Sequence, residues 1–279
     1  MQHSTVKTWF VTGASKGLGL SLVKQLLEKG QKVAATSRDT DALIKAVGTS
    51  TENFLPLYAN LGDDASVKTA IDTAQQTFGS LDVLINNAGY GIGGSFEELT
   101  DTEIRTAFDV NVFGTINTIR HALPHMRAQQ SGHILNISSI AGFAAATGWA
   151  PYAATKFAVT GLTEVLAEDV KSFGIKAVLV APGSFRTSFL TDDSLRLPEQ
   201  PIDAYEDIRA THKRYKAMHG QQGGDPDKAA TVMIAAGFNP NPPVHLFLGT
   251  DAYNRAITKL NGLIQEIEDN KQTSFSTDY

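Results

Sequence analysis

The sequence predicts an α/β fold in which a parallel sheet carries helices on its faces, and three observations point there. Short β-rich runs alternate with segments whose apolar residues recur at helical spacing along most of the chain. The first unit is a strand, a glycine turn and a helix in immediate succession: Thr8–Val11, then Thr12-Gly13-Ala14-Ser15-Lys16-Gly17-Leu18-Gly19, then Leu20, Leu22, Val23, Leu26 and Leu27 up to Gly30. The run Leu81–Ile85 is apolar enough to lie at the centre of a parallel sheet, covered on both faces. The chain shows no internal repeat or linker, so residues 1–279 read as one domain.

Composition narrows the partners. A net charge of −5 argues against nucleic acid as a main partner. The absence of cysteine excludes disulfides and thiolate metal ligands and fits a reducing compartment. No uninterrupted apolar run approaches the roughly 20 residues of a membrane span. The start, Met1-Gln2-His3-Ser4-Thr5-Val6-Lys7, has no apolar leader core. The expectation is a soluble, cytoplasmic protein without nucleic-acid or membrane partners.

The glycine turn is the first element with chemistry. Glycines let the backbone turn tightly and approach a pyrophosphate, and the following helix offers free N–H groups and a positive dipole end. Strand, turn and helix together read as a dinucleotide site of the form TGxxxGxG, placing Gly13, Ser15, Lys16, Gly17, Leu18 and Gly19 against the cofactor. The second strand, Gln31–Thr36, leads to Ser37-Arg38. An acidic residue there would hold the 2′-hydroxyl of NAD. Arg38 and Lys16, with no carboxylate at Ser37, favour the 2′-phosphate of NADP, with NAD the less favoured cofactor.

The remaining elements follow in order. Asp41–Val47 reads as a short helix, Phe54–Ala59 as a strand ending at Asn60-Leu61, and Asp64–Phe78 as a helix. The strand Leu81–Ile85 runs into Asn86-Asn87-Ala88-Gly89 and then a glycine-rich loop, Tyr90–Gly94, read as mobile. Thr100 and Glu103 have capping-box spacing, and the helix they open continues past Asn111 towards Met126, with Pro124 a candidate kink. Asn is a mediocre helix former, so Asn111 points to a side-chain task. His121 and His125 share a helix face without a third ligand, which reads as surface or interface rather than metal binding. His133–Ile137 is a strand leading to Ser138-Ser139. The helix Phe157–Phe173 has small and apolar residues over much of its surface, which predicts a homo-oligomer, a homodimer or homotetramer. Ile175–Val180 is a strand, after which Pro182–Thr187 turns away.

From residue 188 to 224 periodicity is poor, and the stretch reads as a lid with a helix at Ala204–Met218. Its basic run, Arg209, His212, Lys213, Arg214 and Lys216, reads first as a solvated helix face and second as an attractor for an anionic substrate. A helix over Asp227–Ala236, a strand over Val244–Gly249 and a closing helix over Asp251–Ile267 complete the chain, and Glu268–Tyr279 is expected to fray.

Tyr152 and Lys156 stand at i and i+4, one above the other on a helix face. A fixed cation beside a phenol favours the phenolate and lowers its pKa from about 10. That tunes Tyr152 for general acid–base work, with the Ser139 hydroxyl available to the same substrate oxygen.

These residues identify a resemblance. From about Thr8 to Thr187, and more loosely to Gly249, the chain resembles the short-chain dehydrogenases/reductases. Thr12-Gly13-x-x-x-Gly17-x-Gly19, Asn86-Asn87-Ala88-Gly89, Asn111, Ser139, Tyr152-x-x-x-Lys156 and Pro182-Gly183 occur in the family's order. The separation from Tyr152 selects Ser139 over Ser138. The resemblance implies a Rossmann-type, doubly wound parallel sheet of about seven strands in a three-layer α/β/α arrangement. It implies Tyr152 as proton donor to a substrate carbonyl and Lys156 as the cation that lowers its pKa and holds the nicotinamide ribose. Ser139 would bond the carbonyl oxygen, and Asn111 would hold a water linking Lys156 to solvent. Asn60 and Leu61 would flank the adenine, and Asn87, with Ala88 and Gly89, the adenosine-side ribose. Pro182, Gly183, Phe185 and Thr187 would lie along the nicotinamide, the last two at its carboxamide. Phe143, Trp149, Phe189 and Leu190, with Phe185, fall where the resemblance places the substrate, and imply an apolar, fairly bulky ketone, aldehyde or alcohol. Asn60 stands where the family usually has aspartate. The C-terminus lacks the glycine-rich ending of tetrameric acyl-carrier reductases and looks more like members with an extra C-terminal helix.

The leading expectation is an NADP(H)-dependent oxidoreductase interconverting a carbonyl and an alcohol by hydride transfer. The alternative is a catalytically silent NADP-binding sensor or scaffold on the same fold, although such proteins usually lose the tyrosine or lysine that this chain keeps. An epimerase or dehydratase acting on a sugar nucleotide would generally carry TGxxGxxG and a larger substrate domain.

Overall fold

A computed structural model describes residues 6–279. Most of the N-terminal heptapeptide read for a leader lies outside the described residues. The chain forms β1 (Thr8–Val11), α1 (Gly17–Glu28), β2 (Lys32–Ser37), α2 (Thr40–Val47), β3 (Phe54–Tyr58), α3 (Asp64–Phe78), β4 (Val83–Asn86), β5 (Gly91–Ile92) and α4 (Asp101–Phe108). A π-turn at Asp109–Phe113 leads into α5 (Gly114–Gln129), followed by β6 (Gly132–Ile137), α6 (Ala150–Asp169), β7 (Ile175–Pro182) and β8 (Leu195–Arg196). The chain ends with α7 (Glu206–Ala217), α8 (Pro226–Phe238), β9 (His245–Leu248), α9 (Thr250–Asp269) and α10 (Lys271–Phe275).

Seven strands make one parallel sheet in the order β3-β2-β1-β4-β6-β7-β9. Trp9 pairs with Val33 on one side and Val83 on the other, so the order reverses between β1 and β4. That reversal opens a crevice at the C-terminal ends of the strands, where such sheets bind ligands. Alternation along the strands divides the core in two. Trp9, Val11, Val33 and Ile85 face α1 and α8, whose Leu22, Leu26, Ala230 and Met233 cover them. Phe10, Ala34, Leu84 and Ile134 face the opposite layer, which supplies Val67, Ile71, Ile119 and Met126. The expected doubly wound α/β/α architecture is therefore the one found.

Local chemistry sets the element boundaries. Thr100 caps α4 and its N3 residue Glu103 bonds back, giving the expected capping box. Asp63 and Asp225 cap α3 and α8 through their carboxylates. Pro124 sits inside a continuous α5, so the interruption falls upstream at the π-turn.

Two readings of the sequence are corrected, the mobile loop and the frayed tail, and the two histidines gain their partners. The loop Tyr90–Gly94 is fastened: Gly91 and Ile92 pair with Leu195 and Arg196, and Gly91–Gly94 are buried. A Cβ on Gly93 would lie 2.8 Å from the His212 ring, so its glycine serves close approach to the lid. His121 and His125 face Asp64 and Asp72 across the α3–α5 seam. The tail after Glu268 remains helical through α10, although every residue from Ile257 onward is exposed.

Candidate active site

The turn after β1 is stitched to the turn after β4. Thr12 Oγ1 accepts from the backbone N–H groups of Asn87 and Ala88, both at 3.0 Å. The Asn87 side chain donates to the Thr12 and Gly13 carbonyls at 2.9 and 3.0 Å. This fixes the glycine turn at the switch point. Among the described residues no side chain caps the start of α1, and its first turn carries no acid. Unsatisfied N–H groups and the positive dipole end therefore face a cavity of about 840 Å³ that Gly13, Ser15, Lys16, Gly17 and Leu18 line. Ser37 and Arg38 line it from the end of β2, Asn60 and Leu61 from the end of β3, and Asn87, Ala88 and Gly89 from the end of β4. An uncapped helix start with Lys16 and Arg38 nearby fits the pyrophosphate and phosphate groups of a dinucleotide.

Gly19 stands outside the cavity wall. A Cβ there would meet the Asn87 amide nitrogen and the Gly13 carbonyl, each at 2.5 Å, so this glycine lets α1 close onto the turn.

Ser139, Tyr152 and Lys156 line the same cavity. Ser138 lines it too, but is buried and donates its hydroxyl to the Lys156 carbonyl at 2.9 Å, so of the two serines Ser139 is the one whose hydroxyl proton is not spent on the backbone of α6. Ser139 Oγ accepts from Ala141 N–H at 3.1 Å and so begins a short helical turn. Tyr152 and Lys156 are buried on consecutive turns of α6, and the ammonium lies 5.8 Å from the phenol ring centre. Lys156 Nζ donates to the Ile137 carbonyl at 2.9 Å.

Burial dominates both titrations. Loss of water pushes the Tyr152 phenol up to about 12, with Ser139 pulling the other way. The same loss brings the Lys156 ammonium down to about 8. This corrects the expectation of a phenol lowered by its neighbour: loss of water dominates, and the Lys156 ammonium does not hold the phenol down.

Asn111 lies behind the wall on the π-turn, a feature frequent at functional sites. Its Oδ1 accepts from Tyr90 N–H, and its Nδ2 donates to the Tyr90 carbonyl and the Thr155 hydroxyl, at 3.0, 3.0 and 3.2 Å. The side chain thus ties the loop after β4 to α6.

Pro182 at the end of β7 and Gly183, Phe185 and Thr187 after it line the cavity, joined there by Trp149, Phe189 and Leu190. Phe143 does not reach it. It packs edge-on against Phe247 at 5.3 Å, with Ile140, Ala252 and Ala256, beneath α9. The lid adds Tyr215 and Gln222, which sequence reasoning missed. Only an aromatic within the lid helix pointed to Tyr215, and nothing to Gln222. The basic run is also partly spent: Arg209 pairs with Glu98, and buried His212 bonds the Gly148 carbonyl at 2.9 Å. Among the described residues no three His, Asp or Glu side chains gather to hold a metal, and no helix is long and apolar enough to cross a membrane.

Sheet order and the uncapped helix start define a Rossmann nucleotide-binding fold with a polar trio on the wall of its cavity. Residues 7–196 match the short chain dehydrogenase family, and the chain belongs to it. It is 34% identical to an oxidoreductase of Schizosaccharomyces pombe over 98% of this chain and 92% of that one. It is equally identical to a 3-ketodihydrosphingosine reductase of Bacteroides thetaiotaomicron over 86% of each. A short-chain dehydrogenase from Streptomyces avermitilis superposes with a TM-score of 0.90 at 33% identity, covering 98% of this chain and all of that one. ElxO with NADP bound gives 0.72 at 26% identity, over 87% of this chain and 96% of that one. A Brucella melitensis 3-ketoacyl-(acyl-carrier-protein) reductase complexed with NADH gives 0.71 with the same identity and coverage. Two of these solved relatives thus hold a nicotinamide cofactor.

Proposed function

We propose that this protein is an NADP(H)-dependent reductase of a bulky, apolar ketone or aldehyde, and a dehydrogenase of the corresponding alcohol. The carrying observation is that Ser139, Tyr152 and Lys156 share one cavity with the uncapped start of α1. When bound there, the nicotinamide supplies or takes up the hydride at the substrate carbon. Tyr152 gives its phenolic proton to the carbonyl oxygen, or takes one from the alcohol. Ser139 donates a hydrogen bond to that oxygen. Lys156, with one ammonium proton held by the Ile137 carbonyl, stabilises the phenolate left behind and holds the nicotinamide ribose. Asn111 acts as a positioning residue, because its amide is committed to Tyr90 and Thr155.

The NADP reading is supported at Arg38. Asp39 is the neighbouring carboxylate, and its Oδ1 accepts from Ala42 N–H at 2.9 Å as the cap of α2. The exposed guanidinium is left to a phosphate. The bulky, apolar substrate is supported by Trp149, Phe189 and Tyr215 around Tyr152, and the Bacteroides relative is named for a keto substrate. A homo-oligomer through α5 and α6 is supported by Ile116 on α5 and by Phe157 and Val165 on α6, which are 39%, 46% and 61% exposed.

The test uses purified protein with NADPH or NADH, a ketone panel, and the Arg38→Asp and Tyr152→Phe variants. We expect NADPH to bind more tightly than NADH and to lose at least about tenfold in Arg38→Asp. Tyr152→Phe should keep NADPH affinity and lose about a hundredfold or more in turnover. Equal binding of both cofactors overturns the NADP reading. Unimpaired turnover in Tyr152→Phe overturns the mechanism, and cofactor binding without turnover of any ketone points to the silent sensor.

A further inference from the structure

The stretch between α7 and α8 buries an amide that no group among the described residues satisfies. Gln222 is 2% exposed and lies on the stretch from α7 to α8, where it lines the cavity. Neither its side-chain oxygen nor its nitrogen has a hydrogen-bond partner among the described residues. Its backbone is fixed: the Gln222 carbonyl accepts from the Arg186 guanidinium at 3.2 and 3.3 Å. Two residues on, Gly224 N–H donates to the Ser184 carbonyl, and the Gly224 carbonyl accepts from Arg186 N–H. A donor and an acceptor buried without partners cost free energy that packing does not return, so such groups normally have a partner. An unpaired amide on a cavity wall, held by rigid backbone, is suited to a ligand.

The surroundings say what kind. The Tyr215 ring, from the same lid, stands 5.1 Å from the Trp149 ring, and Phe189 stands 5.8 Å from Tyr152. The buried Trp149 Nε1–H also lacks a partner. The walls beside Tyr152 are therefore aromatic, and the two cavity-lining groups buried without partners among the described residues, the Gln222 amide and the Trp149 indole N–H, are neutral.

We infer that Gln222 is a specificity-determining residue whose amide hydrogen-bonds a neutral hydroxyl group that the substrate carries away from its reacting carbonyl. The inference rests on the carbonyl chemistry proposed above for the position of that carbonyl. The substrate class becomes a bulky, mainly apolar ketone with a second neutral oxygen. A carboxylate in that place would satisfy only the donor half of the amide and repel its oxygen.

The probes are α-tetralone and a series of its ring-hydroxylated derivatives, each added to protein saturated with NADPH. Binding is read from the thermal shift of the ternary complex, and turnover is measured in parallel. At least one hydroxytetralone should bind wild type about tenfold more tightly than α-tetralone. Gln222→Met should abolish that preference by weakening the hydroxylated probe alone, leaving NADPH affinity within about twofold. Gln222→Glu keeps the length and one acceptor and should retain part of the preference, so it tests the inference if the methionine variant folds poorly. The inference is overturned by a wild type without preference, or by a preference that survives in every folded variant. A loss of NADPH affinity in Gln222→Met with the preference intact also overturns it, and assigns the amide to the nicotinamide carboxamide. Selective binding without turnover leaves the inference standing and overturns the reductase reading instead.

Discussion

A phenol held near 12 and an ammonium held near 8, one helical turn apart, give the pair distinct tasks at neutral pH. In the proposed reaction Tyr152 keeps its proton until it serves as the acid. Lys156 keeps most of its charge, which stabilises the phenolate that forms as the proton leaves. Because burial depresses the lysine, its charge is lost as pH rises through about 8 rather than near its usual value. Reduction should therefore fall above about pH 8, approaching tenfold per unit. The check is kcat/KM for reduction across that range, and a flat profile well above it would remove Lys156 from the proton path. Residue identity at the site was largely legible, because Ser139, Tyr152 and Lys156 stand at fixed separations within one stretch. Their titration was not. Spacing says that two side chains share a face, whereas desolvation depends on Trp149, Phe189 and the lid, which come from separate segments. Gln222 was illegible for the same reason, since only the folded chain shows that its amide has no partner.

At the scale of elements, the lid is fastened through Glu98. Its side chain has no accessible surface, and it accepts from the N–H groups of Ser95 and Ile202 at 2.9 and 2.8 Å and from the Arg209 guanidinium. One carboxylate thus joins the loop before α4, the lid and α7. Burial pushes its pKa up, but the backbone donors and Arg209 outweigh that and hold it at about 2. The stabilisation is full above the ordinary carboxylate value of about 4.5 and is lost as pH falls towards about 2. Glu98→Gln removes the charge opposite Arg209, itself 31% exposed, and should cost about 1–3 kcal/mol. The expected signs are a lower Tm, faster proteolysis within residues 188–224, and a flatter dependence of Tm on acid. Unchanged lid proteolysis would count against the latch. The irregular stretch around Pro198 and Pro201 and the helix that follows it were legible from broken periodicity. The latch was not, because Arg209 and His212 read as solvent-facing until Glu98 and Gly148 are brought to them. The pairing of Gly91–Ile92 with Leu195–Arg196 was hidden likewise, since two-residue strands carry no periodicity of their own.

At the scale of the molecule, the layered sheet followed from alternating strand and helix patterns, and right-handed crossovers then leave few topologies to choose from. What surrounds the folded chain is harder to read, because exposure is a property of the finished surface. Helices α5 and α6 present Ile116, Phe157 and Val165 to solvent, and Ile116 and Val165 edge a groove shared with Leu123, Leu162 and Leu166. None of these five groove residues lines the cofactor cavity. A second copy related by a two-fold axis would bury the same face on both chains, so one substitution acts twice. A stable interface of this kind covers about 800 Å² per partner and tolerates no unpaired charge near its centre. Val165→Glu should therefore convert a two- or four-chain species into single chains, measured by light scattering at matched concentration, while NADPH affinity stays within about twofold. Wild type already running as a single chain would end the oligomer reading. An undisturbed assembly in Val165→Glu would move the interface to another face.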